Sequence, residues 1–294
     1  MLEKSVLIAA LARDCNKSVL RNIPKIEKLR KEFKESHVVI IENDSKDGTK
    51  ETLKRWEEES IGVEAIMNNY GIVTIPQKSE SISHPGSSLH RISRMATYRN
   101  MYMEYARNAN FKIDYLIAID IDIDDFSSTD IIRCIKEAPS NWGGLFANGR
   151  TFYYNISRYY DMFAYLPIGH SEAVNFKNMI VNNHILERCL RKYKFVECTS
   201  AFGGIGIYKW KVIKDMHYEA FQNNNSKMFE MQCEHISINK GILNKGYKNY
   251  ICSPLKVSYG KYSLRECIAF TILPPKMLFF FYRLLNKKID GLNL

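Results

Sequence analysis

The run Asp120-Ile121-Asp122-Ile123-Asp124 puts three carboxylates at alternate positions, with Asp125 directly after them. On an extended backbone, alternate side chains share one side, so Asp120 and Asp122 point the same way and repel each other. A hard divalent cation such as Mn2+ or Mg2+ would relieve that repulsion. A solvated acidic turn before the next helix is the plainer reading of the same residues. Context favours chemistry, because the run follows Tyr115-Leu116-Ile117-Ala118-Ile119, which reads as a buried strand. Ligands of open parallel sheets bind beyond the carboxyl ends of the strands.

Other residues could serve the same site. Glu42-Asn43-Asp44 closes the run Val38-Val39-Ile40-Ile41 and could accept from a ribose hydroxyl or a base edge, while Ser45 or Asp47 caps the helix that follows. Arg91, Arg94 and Arg99 fall on one predicted helix. Guanidinium forks suit a diphosphate, and a solvated basic face is the alternative. Ala201-Phe202-Gly203-Gly204-Ile205-Gly206 reads either as a close-approach loop or as a plain turn. Cys233-Glu234-His235 joins a candidate general base to a candidate metal ligand.

The elements that must position these groups alternate. Val6–Leu11 reads as a strand buried on both faces. Val19, Ile23, Ile26, Leu29 and Phe33 recur near helical period, with Pro24 near the start. A strand at 38–41, a helix over Thr49–Glu59 and a strand over Val63–Met67 follow. Residues 70–90 read as a long loop, before a helix over Leu89–Asn108. The strand at 115–119 leads to a helix capped by Ser127 or Ser128 and running to Lys136, then a strand at Gly144–Ala147. This alternation predicts an α/β fold with a mostly parallel sheet flanked by helices. Residues 1–150 would form a nucleotide-binding half and 151–262 a less regular acceptor-binding half of the same domain, leaving 263–294 as a basic, apolar tail.

The 294 residues are 46% hydrophobic and carry a formal charge of +10, which suits a folded, basic protein and excludes wholesale disorder. Basic residues are spread along the chain rather than gathered in a tract, so no nucleic-acid partner is expected. Seven scattered Cys without C-x-x-C spacing fit reduced thiols, and the N-terminus has no signal-peptide pattern, so a cytoplasmic location is expected. Asn155-Ile156-Ser157 is then a chance sequon. The stretch Ile272–Arg283 is too short and too interrupted to span a bilayer. With Arg265, Lys276, Arg283, Lys287 and Lys288 it could lie peripherally in a membrane interface or pack on the body. His170, His184 and His217 carry no particular signal. Tyr and Phe between 152 and 165 could stack on sugar rings or fill a core.

In its order of motifs, the chain resembles the GT-A superfamily of glycosyltransferases. The run Glu42-Asn43-x-Ser45-x-Asp47-Gly48-Thr49, with Arg91-Ile92, Arg99-Asn100 and Tyr115–Asp122, resembles its capsule-associated, cryptococcal-type mannosyltransferase branch. The resemblance implies a GT-A-like, Rossmann-type fold and a metal-dependent hexosyltransferase. The donor would be a UDP- or GDP-linked sugar and the acceptor a glycan or glycolipid. It implies that Ala10, Arg13, Glu42, Asn43, Asp44, Arg91, Arg99, Asp120, Gly203 and Gly204 bind the donor. It gives Asp120, Asp122 and His235 to the metal, and catalytic roles to Asp122 and Glu234. Three alternating Asp leave open which pair holds the metal. A sugar nucleotidyltransferase would need a Gly-rich phosphate loop where Leu11-Ala12-Arg13-Asp14-Cys15-Asn16 stands. A polyanion-binding protein would not depend on the carboxylates at all.

Overall fold

A computed structural model describes residues 1–71, 84–169 and 174–284. The chain runs β1 (Leu2–Ala12), α1 (Asn16–Arg30), β2 (Phe33–Asn43), α2 (Thr49–Glu59), β3 (Val63–Asn68), α3 (Leu89–Asn108), β4 (Tyr115–Asp120) and α4 (Ser128–Glu137). It continues with β5 (Trp142–Tyr153), β6 (Ile156–Tyr159), β7 (Leu166–Pro167), α5 (Phe176–Lys192), β8 (Phe195–Ser200), β9 (Ile205–Lys209), α6 (Trp210–Ile213), α7 (His235–Asn244), β10 (Lys248–Lys261), α8 (Leu264–Cys267) and α9 (Pro275–Leu284).

One ten-stranded sheet runs β3-β2-β1-β4-β9-β5-β10-β8-β7, with β6 paired to β5. The first four strands in that order are parallel, as expected. Beyond them the sheet is mixed. β9 lies antiparallel between β4 and β5, β10 is parallel to β5, and β8 is antiparallel to β10. Residues from both expected halves therefore share one sheet.

Alternation along the buried strands explains the two cores. Val6, Ile8, Val38, Ile40, Ile117 and Ile119 face α1, α2 and α4. Leu7, Ala9, Val39, Ile41, Leu116 and Ala118 face α3 and α7. Burying each of the Val, Leu and Ile side chains contributes about 1.5–3 kcal/mol, so a one-residue slip of register is strongly disfavoured.

One local expectation is corrected. Phe33 does not extend α1 but opens β2 opposite Leu2, and α1 starts at Asn16, which leaves Pro24 inside the helix. Of the two serines expected as a cap for α4, Ser127 takes the role, its side chain accepting from the Asp130 N–H. Part of the long loop expected at 70–90 (residues 72–83), His170, and residues 285–294 with Lys287 and Lys288 lie outside the described residues. All seven cysteines are free. Among the described residues no helix is long and apolar enough to cross a membrane.

Candidate active site

β1 lies between β2 and β4, so the chain switches direction across the sheet beside it. That switch point is where parallel sheets open a crevice. A cavity of about 750 Å³ sits there, lined at the strand ends by Leu11, Ala12, Asn43 and Asp120. Its volume is within the usual range of small-molecule sites. Arg13, Arg91, Arg99, Asp122, Asp161, Glu234 and His235 add charge and hydrogen-bonding groups, and Tyr98, Tyr160, Phe163, Phe202 and Tyr259 add aromatic walls.

The acidic run does not stay extended. β4 stops at Asp120, and the chain turns there, the Ile123 N–H donating to the Asp120 carbonyl at 3.2 Å. Ile121 and Ile123 are buried below this turn. Their carbonyls both accept from the buried Asn22 amide of α1, at 2.9 and 2.8 Å. The apolar-acidic alternation thus pins the loop from beneath while presenting Asp120 and Asp122 to the cavity. Asp124 is used elsewhere: it accepts from the Gly260 N–H at 2.7 Å and lies 3.3 Å from Arg21. Asp125 pairs with Lys25 at 2.5 Å.

The pair that reaches the cavity is poorly compensated. Asp120 keeps 24% of its side-chain surface open to it. Burial nonetheless pushes its carboxyl up to about 7; the Arg99 guanidinium opposes this, and the charges of Asp122, Asp161 and Glu234 add to it. Asp122 meets the Tyr259 hydroxyl, which stands 3.1 Å from both of its oxygens. Tyr259 in turn stacks on Tyr160, with ring centroids 3.9 Å apart.

Arg99 joins the two halves of the site. Buried on α3, its Nε donates to Glu234 at 2.9 Å, and its Nη2 reaches Asp120 at 3.5 Å. His235, the first residue of α7, stacks on Phe202 at 3.8 Å. Neither ring nitrogen has a hydrogen-bond partner among the described residues. Burial, then the Arg99 charge, holds its pKa well below the ordinary value, so the ring is a neutral imidazole. Among the described residues, no three His, Cys, Asp or Glu side chains stand close enough to enclose a cation unaided.

These features meet in a chain whose residues 5–240 match the family model described as cryptococcal mannosyltransferase 1. The chain belongs to that family. No curated protein matches it by sequence. Among solved structures, the family member is similar to a mannosyltransferase from Pyrobaculum calidifontis, PcManGT, in complex with GDP-Man and Mn2+. Identity is 11% over 88% of this chain and 57% of that one, with a TM-score of 0.48. It is also similar to S. aureus TarS 1-349, at 14% identity over 87% of this chain and 60% of that one, TM-score 0.45. A third likeness is to GalNAc-T7 with UDP, GalNAc and Mn2+, at 13% identity over 93% and 46%, TM-score 0.49. The chain thus spans less than two thirds of the length of each.

Within this family member, eight of the expected site residues line the cavity: Arg13, Asn43, Arg91, Arg99, Asp120, Asp122, Glu234 and His235. Five do not. Ala10 is buried in the sheet. Glu42 is fully buried, accepting from the Ser45 N–H at 2.8 Å with Lys50 at 3.8 Å. Asp44 turns toward the end of β3 and accepts from the Gly71 N–H at 2.7 Å.

Gly203 and Gly204 have φ of +66° and +90°, and a Cβ on Gly203 would stand 2.2 Å from the Ala147 carbonyl oxygen. Their contact is with the sheet. The Gly204 carbonyl accepts from the Asp120 N–H at 2.9 Å, so the loop fastens the acidic turn.

Two polar cavity residues were not singled out in the sequence: Asp161 and Tyr259. Asp161 accepts from the Gly203 and Ala164 N–H groups, and burial pushes its carboxyl up to about 6. A lone Asp inside the aromatic run 152–165 was its one signal. That run divides: Tyr160 and Phe163 face the cavity, whereas Tyr159 and Tyr165 fill the core.

Proposed function

We propose that this chain is a glycosyltransferase moving a sugar from a UDP- or GDP-linked donor to a glycan or glycolipid hydroxyl, with a divalent cation held at Asp120 and Asp122. The observation that carries this is a pair of under-compensated carboxylates at the carboxyl end of β4, facing a switch-point cavity that arginines also line. Carboxylate oxygens suit Mn2+ or Mg2+, and the proton that Asp120 holds up to about 7 marks the positive charge the site lacks. Two carboxylates with substrate phosphates and water are a usual way to hold Mg2+, so an incomplete protein cage fits. His235 offers a neutral imidazole to the same cavity as a further candidate ligand.

When bound, the cation would neutralise the diphosphate as the bond from the anomeric carbon to the phosphate oxygen breaks. Arg13 and Arg91 are proposed to hold phosphate oxygens, and Asn43 the nucleoside. Tyr160 and Tyr259 offer flat faces for a ring. Glu234 is proposed to take the proton of the attacking hydroxyl, with Arg99 fixing the orientation of its carboxylate. Residues 1–150 would then serve mainly the donor and 151–262 the acceptor, reached at a membrane surface.

Calorimetric titration with UDP and GDP, each with Mn2+ and with chelator, tests the reading. Micromolar binding of one nucleotide, lost on chelation, is expected. Folded protein that binds neither nucleotide with Mn2+ present would refute it.

A further inference from the structure

The C-terminal helices carry apolar surface on the wrong side for a core. In α9, Leu278 is buried, and Phe279 and Tyr282 pack with it against Ile180, Ala269 and Phe270. The opposite face repeats the pattern. Met277, Phe280, Phe281 and Leu284 stand at i, i+3, i+4 and i+7, and they are 49%, 62%, 42% and 68% exposed. An apolar stripe at that spacing is what a helix buries, yet this one faces out. Leu264, Ile268 and Ile272 extend the exposed apolar surface into the preceding turns. Exposed Arg265, Lys276 and Arg283 lie along it. The one acidic residue between 262 and 284, Glu266, is already taken by Arg158 at 2.9 Å and by the cap of α8.

We propose that this outward face of α9, with the turns before it, docks the protein on an anionic lipid surface. Apolar side chains flanked by same-sign cations match the acyl-headgroup boundary of an anionic bilayer. A second copy fits worse, because a face carrying three cations and no available carboxylate would meet its own charge. Helix α8, where the exposed Leu264 begins this apolar surface, starts five residues after Tyr259, a chain length of at most about 18 Å, so that end of the docked face lies near the cavity. The docking rests on this exposed face alone. Its consequence, that the acceptor hydroxyl is carried by a lipid, rests on the proposed transferase activity.

The test is sedimentation of the full chain with phosphatidylcholine vesicles containing or lacking phosphatidylglycerol. It compares wild type, Phe280→Glu with Leu284→Glu, and Lys276→Ala with Arg283→Ala. Both double variants change exposed side chains, and their folding is checked by melting and by the nucleotide titration. Wild type should sediment with the anionic vesicles, the glutamate pair should bind at least tenfold more weakly, and the alanine pair should lose most of the preference for anionic lipid. Wild type that ignores the vesicles, or a glutamate pair that binds as well, would overturn the docking. So would a wild-type dimer that the glutamate pair converts to monomer without any lipid binding, which would give the face to a second copy. Nucleotide binding unchanged throughout keeps either result separate from the donor site.

Discussion

Two acidic turns leave the parallel strands on either side of β1 at the same edge of the sheet, and they are opposite in kind. In the turn after β2, Asp44–Thr49, backbone N–H groups take up the carboxylates of Asp44 and Asp47. Asp47 accepts from the Thr49 N–H and hydroxyl with one oxygen and from the Asn16 N–H with the other. Asp14 bridges the same gap, its N–H donating to the Ser45 hydroxyl and its carboxylate accepting from the Lys46 N–H. The turn after β4 leaves Asp120 and Asp122 facing a cavity, with Arg99 the one guanidinium within reach of Asp120 among the described residues. Both turns are rich in acid; what separates them is whether backbone N–H groups already use the carboxylates.

The largest break comes from removing the shared cation. Arg99→Met leaves Glu234 and Asp120 in protein surroundings without their partner. Stripping one member from a buried ion pair typically costs about 3–5 kcal/mol. Urea unfolding should show a loss of that order, and Mn2+-dependent nucleotide binding should weaken with it. A variant as stable as wild type would mean that the two carboxylates do not depend on Arg99.

Asp122→Asn sharpens the same contrast without touching the fold, because Asp122 is exposed and touches the Tyr259 hydroxyl alone in the hydrogen-bond network described. Transfer should fall by about 10²-fold or more, the scale of losing one electrostatic contact to a transition state. Melting should stay within about a degree. Full Mn2+-dependent transfer by this variant would move the metal off the pair. Asp124→Asn, which alters bonds to Gly260 and Arg21, should leave nucleotide affinity within about twofold of wild type.

How much of this was legible follows from the kind of signal involved. Buried parallel strands announce themselves as apolar runs, and α2 and α3 span the ranges expected for them, although Gly48, not Ser45 or Asp47, stands at the N-cap of α2. β9 could not be placed from the sequence, since the partner of an antiparallel strand inserted between β4 and β5 is a matter of topology. Asp120 and Asp122 could be picked out because their spacing is a pattern in itself, and both line the cavity. The same kind of signal at Glu42 and Asp44 left them outside its lining, since spacing does not tell which N–H a carboxylate will meet. Gly203 and Gly204 were legible as glycines of unusual conformation, but the partner they approach is strand β5 and the Asp120 backbone. Tyr259 lies 137 residues from Asp122, a separation over which no local pattern operates.

Asp161 allows a titration test of how the cavity treats acid. Its folded pKa is raised from 3.8 to about 6, chiefly by burial. Between those values the folded state holds the proton more tightly than the unfolded state does, so its contribution to stability falls as pH rises through that window. Asp161→Asn removes the effect. Measured in chelator, the variant should gain about 2 kcal/mol on wild type between pH 4.5 and 6.5. A gap that does not change with pH would place Asp161 in wetter surroundings than its contacts imply.

The smallest effect belongs to the turn after β2. Asp47→Ala removes acceptors for two N–H groups at the start of α1 and α2, a capping loss of about 1 kcal/mol at an exposed position. Melting should drop by a few degrees, while Mn2+-dependent nucleotide affinity stays within about twofold. That pairing of results is what a purely structural lock requires. A tenfold loss of nucleotide affinity at unchanged melting would reverse the comparison, bring the β2 turn into the donor site, and leave β4 without its privileged place on that edge.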